Sequence, residues 1–246
     1  MKTIIGKTIR GSSCKGDSQG DSQNKGSHLS GEGKRIGSAK TKTHTGSLLD
    51  QSEFDSIRKE LAAFEVQREK AIASSRDIIH LSKQIIYAIH RGDIEKAKSL
   101  LPAITAEVKN LPLGSTETDM PEVARQEFVE AAAYLEFVTN SRLPARKELG
   151  VQFAPYLSGL CDLTGELVRK AVKDVIEHRF DSAKKIHALV DEIYGAFLQF
   201  DLRGGELRKK SDSIRWNLKK LEDVMYDIEL KGKMSDKKDE NQKEAS

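Results

Sequence analysis

Residues 160–168 read LCDLTGELV. Leucines at 160, 163 and 167 recur at the spacing of three and four residues that is typical of a helix with one buried face. Asp162 and Glu166 are four residues apart in the same stretch, so both carboxylates point off one side of that helix. Two acids on a buried helix are costly unless a cation offsets their charge.

A second pair of acids, Glu127 and Glu130, lies in another apolar stretch, beside Phe128-Val129 and three consecutive alanines. The sequence leaves two explanations for the four acids open. A bound metal ion could compensate their charge, or neighbouring cations could neutralise them as ordinary ion pairs. The candidate cations are Arg125, Arg169 and Lys170.

Helical periodicity continues along the chain from residue 51, and the helix breakers fall between the periodic segments. We therefore expect an all-α domain. Ser52, with Asp55 three residues later, resembles a capping box that opens the first helix. That helix would be about 60 Å long at roughly 1.5 Å per residue, which suggests packing between subunits or a kink. The predicted helices cover about residues 52–91, 94–111, 121–140, 154–177, 182–200 and 206–230, with a short helical turn within 141–149.

The last predicted helix carries an apolar stripe at alternating spacings of four and three. The stripe fits either packing within the subunit or an interface between subunits. Its members are Leu207, Ser211, Ile214, Leu218, Leu221, Met225 and Ile228. The same helix is basic in its first half, which fits an RNA-facing wall, an ion-pair surface between subunits or a solvated face. The basic residues are Arg208, Lys209, Lys210, Arg215, Lys219 and Lys220.

Composition separates the two ends of the chain from its middle. Residues 1–48 are rich in Gly, Ser and Lys and carry a net charge of +6, whereas the whole chain carries +3. We expect this extension to be disordered. We expect a helical domain over residues 49–233 and a flexible charged tail over 234–246. Because the domain itself is net acidic, the basic balance of the whole chain does not indicate a basic nucleic-acid-binding domain.

The two cysteines, Cys14 and Cys161, form neither a metal-ligand spacing nor a disulfide framework. This pattern fits a reducing, cytoplasmic location. No apolar run reaches the ~18 residues that a transmembrane helix needs. Residues 1–13 lack the apolar core of a secretion signal. We therefore expect no membrane association.

A mixed stripe lies on the first predicted helix at spacings of 4, 3, 4 and 3, so its members share one face. Its cations could hold phosphates, and its tyrosine could stack on a base, as single-strand recognition commonly requires. A solvated helix face would give the same pattern. The stripe consists of Arg76, His80, Lys83, Tyr87 and His90.

Several short motifs in a fixed order resemble the translin/Trax family. They are SRDI at 75–78 with SK at 82–83 and HR at 90–91, YLSG at 156–159, DLTGEL at 162–167, and LRKK at 207–210 with VMYD at 224–227. The resemblance extends over about residues 65–233. It implies a subunit of about seven helices, arranged as an antiparallel bundle or superhelix, and a hollow, roughly octameric shell with acids on its inner surface.

The resemblance also implies a chemistry. Trax-type subunits carry acids that bind Mg²⁺ and cleave RNA, and Glu127, Glu130, Asp162 and Glu166 occupy the matching positions. We expect an endoribonuclease that uses Mg²⁺ or Mn²⁺ to cleave single-stranded RNA in a homo-oligomer or with a translin-type partner. A non-catalytic protein that binds RNA or single-stranded DNA is the alternative. The third possible function is that of a helical adaptor that binds a protein through its last helix.

Overall fold

Seven helices, and no strand, make up the residues described by the computed structural model, which are 48–113 and 117–244, with side chains to residue 230. The expected all-α class is confirmed. Residues 1–47 of the predicted disordered extension lie outside the described residues. The helices are α1 Gln51–Arg91, α2 Ile94–Asn110, α3 Met120–Asn140, α4 Arg146–Leu149, α5 Phe153–Ile176, α6 Phe180–Phe197 and α7 Glu206–Glu244.

Helix ends differ from the predictions at three places. The cap of α1 is Asp50 and not Ser52, because the Asp50 carboxylate accepts hydrogen bonds from the backbone N–H groups of Ser52 and Glu53. Helix α6 starts and ends two to three residues earlier than expected. Helix α7 continues past the expected end near Leu230 to Glu244. No proline interrupts the Lys- and Glu-rich residues beyond 230, and both residue types favour helix.

The helices pack in a chain of neighbours in which α1 contacts α2 and α3, α3 contacts α5, and α5 contacts α6 and α7. The second half of α1 supplies fully buried Ile78 and Ile85 to the core. Helix α5 supplies Leu163 and Leu167, which are also fully buried. The two acid-bearing helices, α3 and α5, are thus central neighbours in the core.

None of the described helices is both long enough and apolar enough to span a bilayer.

The first half of α1 contributes nothing to this core. Its first buried residue is Ala71, and large apolar side chains before it are exposed. Phe54 and Ile57 are about half exposed, and Leu61 and Val66 more than half. Roughly twenty residues of the helix therefore carry an apolar surface that the rest of the described chain does not cover.

The apolar stripe of α7 packs inside the subunit. Ile214 and Leu221 are fully buried and Leu218 nearly so, while Leu207, Met225 and Ile228 are half-buried against the core. This packing decides between the two explanations that the sequence left open for the stripe. The basic residues of α7 must then lie on its other faces.

Helices α3 and α5 approach each other closely at Gly159. A methyl group added at this glycine would lie 2.7 Å from the backbone oxygen of Gln126 and 2.7 Å from Cβ of Val129. Gly165 has no such neighbour, since its nearest atom is the Asn217 amide nitrogen at 3.8 Å. Of the two glycines in α5, only Gly159 is required by a close helix approach.

We predict that Gly159→Ala destabilises the protein although alanine favours helix. Overpacking against a backbone oxygen costs typically ~1–3 kcal/mol, which exceeds the gain of up to ~1 kcal/mol in helix propensity. Urea unfolding measures the difference. Gly195→Ala is the matched control, because nothing lies within 4 Å of the added methyl group in α6. A Gly159→Ala variant that is as stable as Gly195→Ala would show that the helices do not meet here.

Candidate active site

A cavity of about 570 Å³ lies where α1, α3, α5 and α7 meet, and all four predicted acids line it. Glu127 and Glu130 come from α3, and Asp162 and Glu166 come from α5. The structure thus brings both acid pairs to one site. The cavity is also lined by Lys83, Ile86, Tyr87, Cys161, Gly165, Arg169, Ser213 and Asn217.

The two acids of α3 differ from those of α5 in their surroundings. Among the described residues, none forms a hydrogen bond or ion pair with Glu127 or Glu130. Glu130 is only 8% exposed. Burial, together with the negative charges of Asp162, Glu127 and Glu166, raises its pKa from 4.5 to about 8. Burial also raises the pKa of Glu127, although Lys83 opposes the shift.

Asp162 is held by two donors on one of its oxygens. The Gln126 amide nitrogen lies 2.5 Å from Oδ2 of Asp162, and the Lys210 ammonium lies 2.6 Å from the same oxygen. Gln126 lies on α3 and Lys210 near the start of α7, so both neighbouring helices fix this carboxylate. The sequence placed Lys210 on a basic face of α7 but gave no signal for its partner.

Glu166 is also held on one oxygen. Nε2 of His90 makes a short hydrogen bond to Oε2 of Glu166, and the Arg169 guanidinium lies 3.7 Å from that oxygen. The hydrogen bond from His90 lowers the pKa of Glu166, against the effect of burial. Nδ1 of His90 lies 3.4 Å from the hydroxyl of Tyr134, which is fully buried.

The cations that might have neutralised the acids mostly have other partners. Arg125 lies 2.6 Å from Glu122 and donates to the backbone oxygens of Leu111 and Pro112. Lys170 pairs with Asp174. Of the three candidates only Arg169 reaches a site acid. The ion-pair explanation therefore fails for Glu127 and Glu130. Two other side chains, Lys210 and His90, contact the remaining two acids.

The predicted stripe on α1 leads towards the cavity. Arg76, His80, Lys83 and Tyr87 are exposed, and the last two line the cavity. The Arg91 guanidinium lies 5.8 Å from the centre of the Tyr87 ring, in a cation–π contact. His90 does not share their exposure. Its side chain is 7% exposed and turned towards Glu166.

The cavity offers a donor set that suits a hard divalent cation, because its carboxylate oxygens are ligands that Mg²⁺ prefers. Burial and the charge of Asp162 raise the pKa of the Cys161 thiol to about 12, so it stays protonated in the metal-free protein. Within residues 48–113 and 117–244, no three His, Cys, Asp or Glu side chains already form a metal-binding group. Binding would thus require side-chain rotation.

We predict that the metal-free protein loses stability as the pH rises from about 5 to 8. In this interval folded Glu130 keeps a proton that the unfolded chain, with a pKa near 4.5, has released. Each pKa unit corresponds to roughly 1.4 kcal/mol, so the full loss amounts to a few kcal/mol. Urea unfolding in EDTA at several pH values measures it. Glu130→Gln should flatten the profile, and parallel profiles for the two proteins would contradict the assigned pKa.

Comparisons with known proteins agree with the helical architecture. The chain is 24% identical over 226 residues to Translin-associated protein X of Mus musculus, covering 73% of this chain and 78% of the relative. It is 34% identical over 77 residues to Translin of Gallus gallus, which covers 31% of this chain and 34% of that relative. This chain is also similar to the solved structure of the AfC3PO–duplex RNA complex, with a TM-score of 0.65 and 26% sequence identity. The similarity covers 72% of this chain and 97% of that chain.

The Translin family model matches residues 66–232, which include all seven described helices at least in part and all four acids. The match covers more than half of the chain. The chain therefore belongs to the Translin family.

Proposed function

We propose that this protein is a Mg²⁺-dependent endoribonuclease that cleaves single-stranded RNA within a closed oligomer. One observation carries the proposal. Four carboxylates line one cavity, and Glu127 and Glu130 have no partner among the described side chains. The raised pKa of Glu130 reflects burial first and then the negative charges of the other three acids, which Lys210 opposes only in part. Such perturbed groups in a cleft are typical of functional sites.

All four acids would hold the metal through carboxylate oxygens. Glu127 and Glu130 can turn towards a cation without breaking a hydrogen bond, whereas Asp162 and Glu166 are already oriented by neighbouring side chains. Mn²⁺ suits the same oxygen donors as Mg²⁺. When bound in such a site, divalent cations activate water and neutralise the charge that develops on a phosphate.

The rim of the cavity supports RNA as the substrate. Lys83 and Arg169 line the cavity and place positive charge where a phosphate would enter. Tyr87 is 58% exposed beside them and can stack on an unpaired base. Arg76 and His80 extend this surface along α1. The relative solved with duplex RNA supports the RNA assignment, and it makes duplex RNA a necessary comparison for the preferred strand form.

The first half of α1 supports an oligomer. Its exposed apolar residues, among them Ile57 and Leu61, lack cover from the other described residues, and exposed apolar patches of this kind mark protein interfaces. We include in the proposal a homo-oligomeric shell, or a mixed one with a translin-type subunit. Light scattering that finds only monomers at micromolar concentration would contradict this part.

A non-catalytic nucleic-acid-binding protein is the second candidate. It is favoured by the absence of a ready metal group among the described residues and by the protein donors already on Asp162 and Glu166. In that case the acids would be structural. The two candidates differ in their products, because only the first cleaves RNA when Mg²⁺ is added.

We predict that the purified protein cleaves single-stranded RNA with Mg²⁺ or Mn²⁺ and not in EDTA, leaving 5′-phosphate ends. Glu130→Gln should lower the rate by more than the ~10–100-fold that loss of an outer-shell partner costs, because it removes a metal ligand. Gel analysis of end-labelled RNA measures the rate. Duplex RNA of the same sequence tests the strand preference.

Glu192→Gln is the control for this experiment, since Glu192 is exposed on α6 and does not line the cavity. Its rate should equal that of the unaltered protein. A fully active Glu130→Gln variant, or unchanged cleavage in EDTA, would refute the metal site. The ends also identify contaminating ribonucleases, because attack by the substrate's own 2′-hydroxyl leaves a 2′,3′-cyclic phosphate on one fragment and a 5′-hydroxyl, instead of a 5′-phosphate, on the other.

We further predict that Arg76→Ala and Lys83→Ala weaken RNA binding. Each phosphate contact that is lost should reduce the slope of log affinity against log salt by about 1. Fluorescence anisotropy at several salt concentrations measures the slope, with single-stranded DNA as a second ligand. Lys185→Ala is the control on α6, because that side chain is exposed and does not line the cavity. An unchanged slope for both variants would mean that the stripe is ordinary surface.

A further inference from the structure

The two acids of α5 share a pattern of partners that the two acids of α3 lack. On Asp162, Gln126 and Lys210 both donate to Oδ2. On Glu166, His90 and Arg169 both contact Oε2. Within the described part of the chain, no donor contacts Oδ1 of Asp162 or Oε1 of Glu166. Each carboxylate is thus anchored at one oxygen and free at the other.

We infer that Gln126 and His90 are positioning residues that hold one oxygen of Asp162 and of Glu166 and present the other oxygen to a divalent cation in the cavity. This inference rests on the proposed function. Hydrogen-bonded ligands are common in metal sites, where outer donors fix the orientation of a carboxylate before the metal binds. Lys210 and Arg169 assist on the same oxygens and carry part of the charge.

A third acid on α5 shows how the protein treats a carboxylate with a structural role. Asp174 is fully buried, and both of its oxygens have donors. Lys170 lies 3.1 Å from Oδ1 and 2.9 Å from Oδ2, Arg179 contacts Oδ1, and Ser182 donates to Oδ2 at 2.6 Å. A carboxylate that only links helices uses both oxygens. Among the described residues, Asp162 and Glu166 each accept on one oxygen.

The origin of the donors supports the same role. Gln126 belongs to α3 and precedes Glu127, so the helix that carries two of the acids also orients a third. His90 belongs to α1 and is itself fixed, because its backbone oxygen accepts a hydrogen bond from Lys173 and its ring packs against Tyr134 with 5.3 Å between ring centres. A donor that is rigid and nearly buried sets the direction of the carboxylate it holds.

The neutral donor Gln126 gives the clearest test. Removing Lys210 would also remove a positive charge that repels a cation, so two opposing effects would mix. Gln126→Leu removes only the donor. His90→Phe removes the donor to Glu166, and His90→Gln restores an N–H group at about the same distance from the backbone. Gln84→Leu and His187→Phe are matched controls, because both side chains are half-buried and neither lines the cavity.

Mn²⁺ binding to the full chain, followed by electron paramagnetic resonance without RNA, is the measurement. We expect Gln126→Leu and His90→Phe to raise the Mn²⁺ dissociation constant by roughly 10–100-fold, as losses of outer-shell partners do. His90→Gln should stay within about threefold of the unaltered protein, and the controls should not change. Thermal unfolding without metal checks each variant, and Gln126→Met replaces a Leu variant that does not fold.

The outcomes separate the inference from the proposed function. If the unaltered protein binds Mn²⁺ and cleaves RNA while Gln126→Leu and His90→Phe bind Mn²⁺ equally well, the positioning role is refuted and the metal site stands. A His90→Gln variant as weak as His90→Phe also refutes it, because a restored donor should restore binding. If the unaltered protein binds no Mn²⁺, the metal site itself is refuted and the inference with it.

Discussion

The close contact of α3 and α5 at Gly159 is the constraint on which the site depends. Without a side chain at 159, the backbone of α3 at Gln126 can approach α5 to within the space of a methyl group. One turn along from this contact on each helix lie Glu130 and Asp162, and one turn further along α5 lies Glu166. Helices held at a greater distance would leave the two acid pairs on separate surfaces. Gly159, three residues before Asp162, thus allows the helix contact beside which the four acids line one cavity.

Within that cavity, the acids of α5 and the acids of α3 differ in how far other side chains compensate their charge. The α5 acids have donors from three helices, while the α3 acids have none among the described residues. A buried carboxylate without a partner is normally too costly to keep ionised. The shifted pKa of Glu130 is the physical expression of that cost. A divalent cation would remove it, and Asp174 shows that the same helix satisfies a carboxylate completely where no ligand is needed.

Much of the fold could be predicted from the sequence, because apolar spacing marks the buried face of each helix and the ordered motifs indicate the family. The four acids could also be identified from the sequence, because they are charged residues inside apolar stretches. Their partners could not be identified in this way. Lys210 is 48 residues from Asp162, and His90 is 76 residues from Glu166, so both pairs depend on how helices cross. The spacing along α1 grouped His90 with exposed cations, but in the structure its side chain is nearly buried and contacts Glu166. The sequence of α5 alone could not show that Gly159, and not Gly165, lies at a close helix contact, because that depends on the position of α3.

Anomalous diffraction from crystals of this protein soaked in Mn²⁺ tests the central claim, that the four acids form a site for divalent cations, most directly. The account predicts one or two anomalous peaks inside the cavity, about 2.0–2.5 Å from oxygens of Glu127 and Glu130 and from Oδ1 of Asp162 or Oε1 of Glu166. Lys210 and His90 should remain on the opposite oxygens. A cavity without a peak at saturating Mn²⁺, with Glu127 and Glu130 still unpartnered, would contradict it.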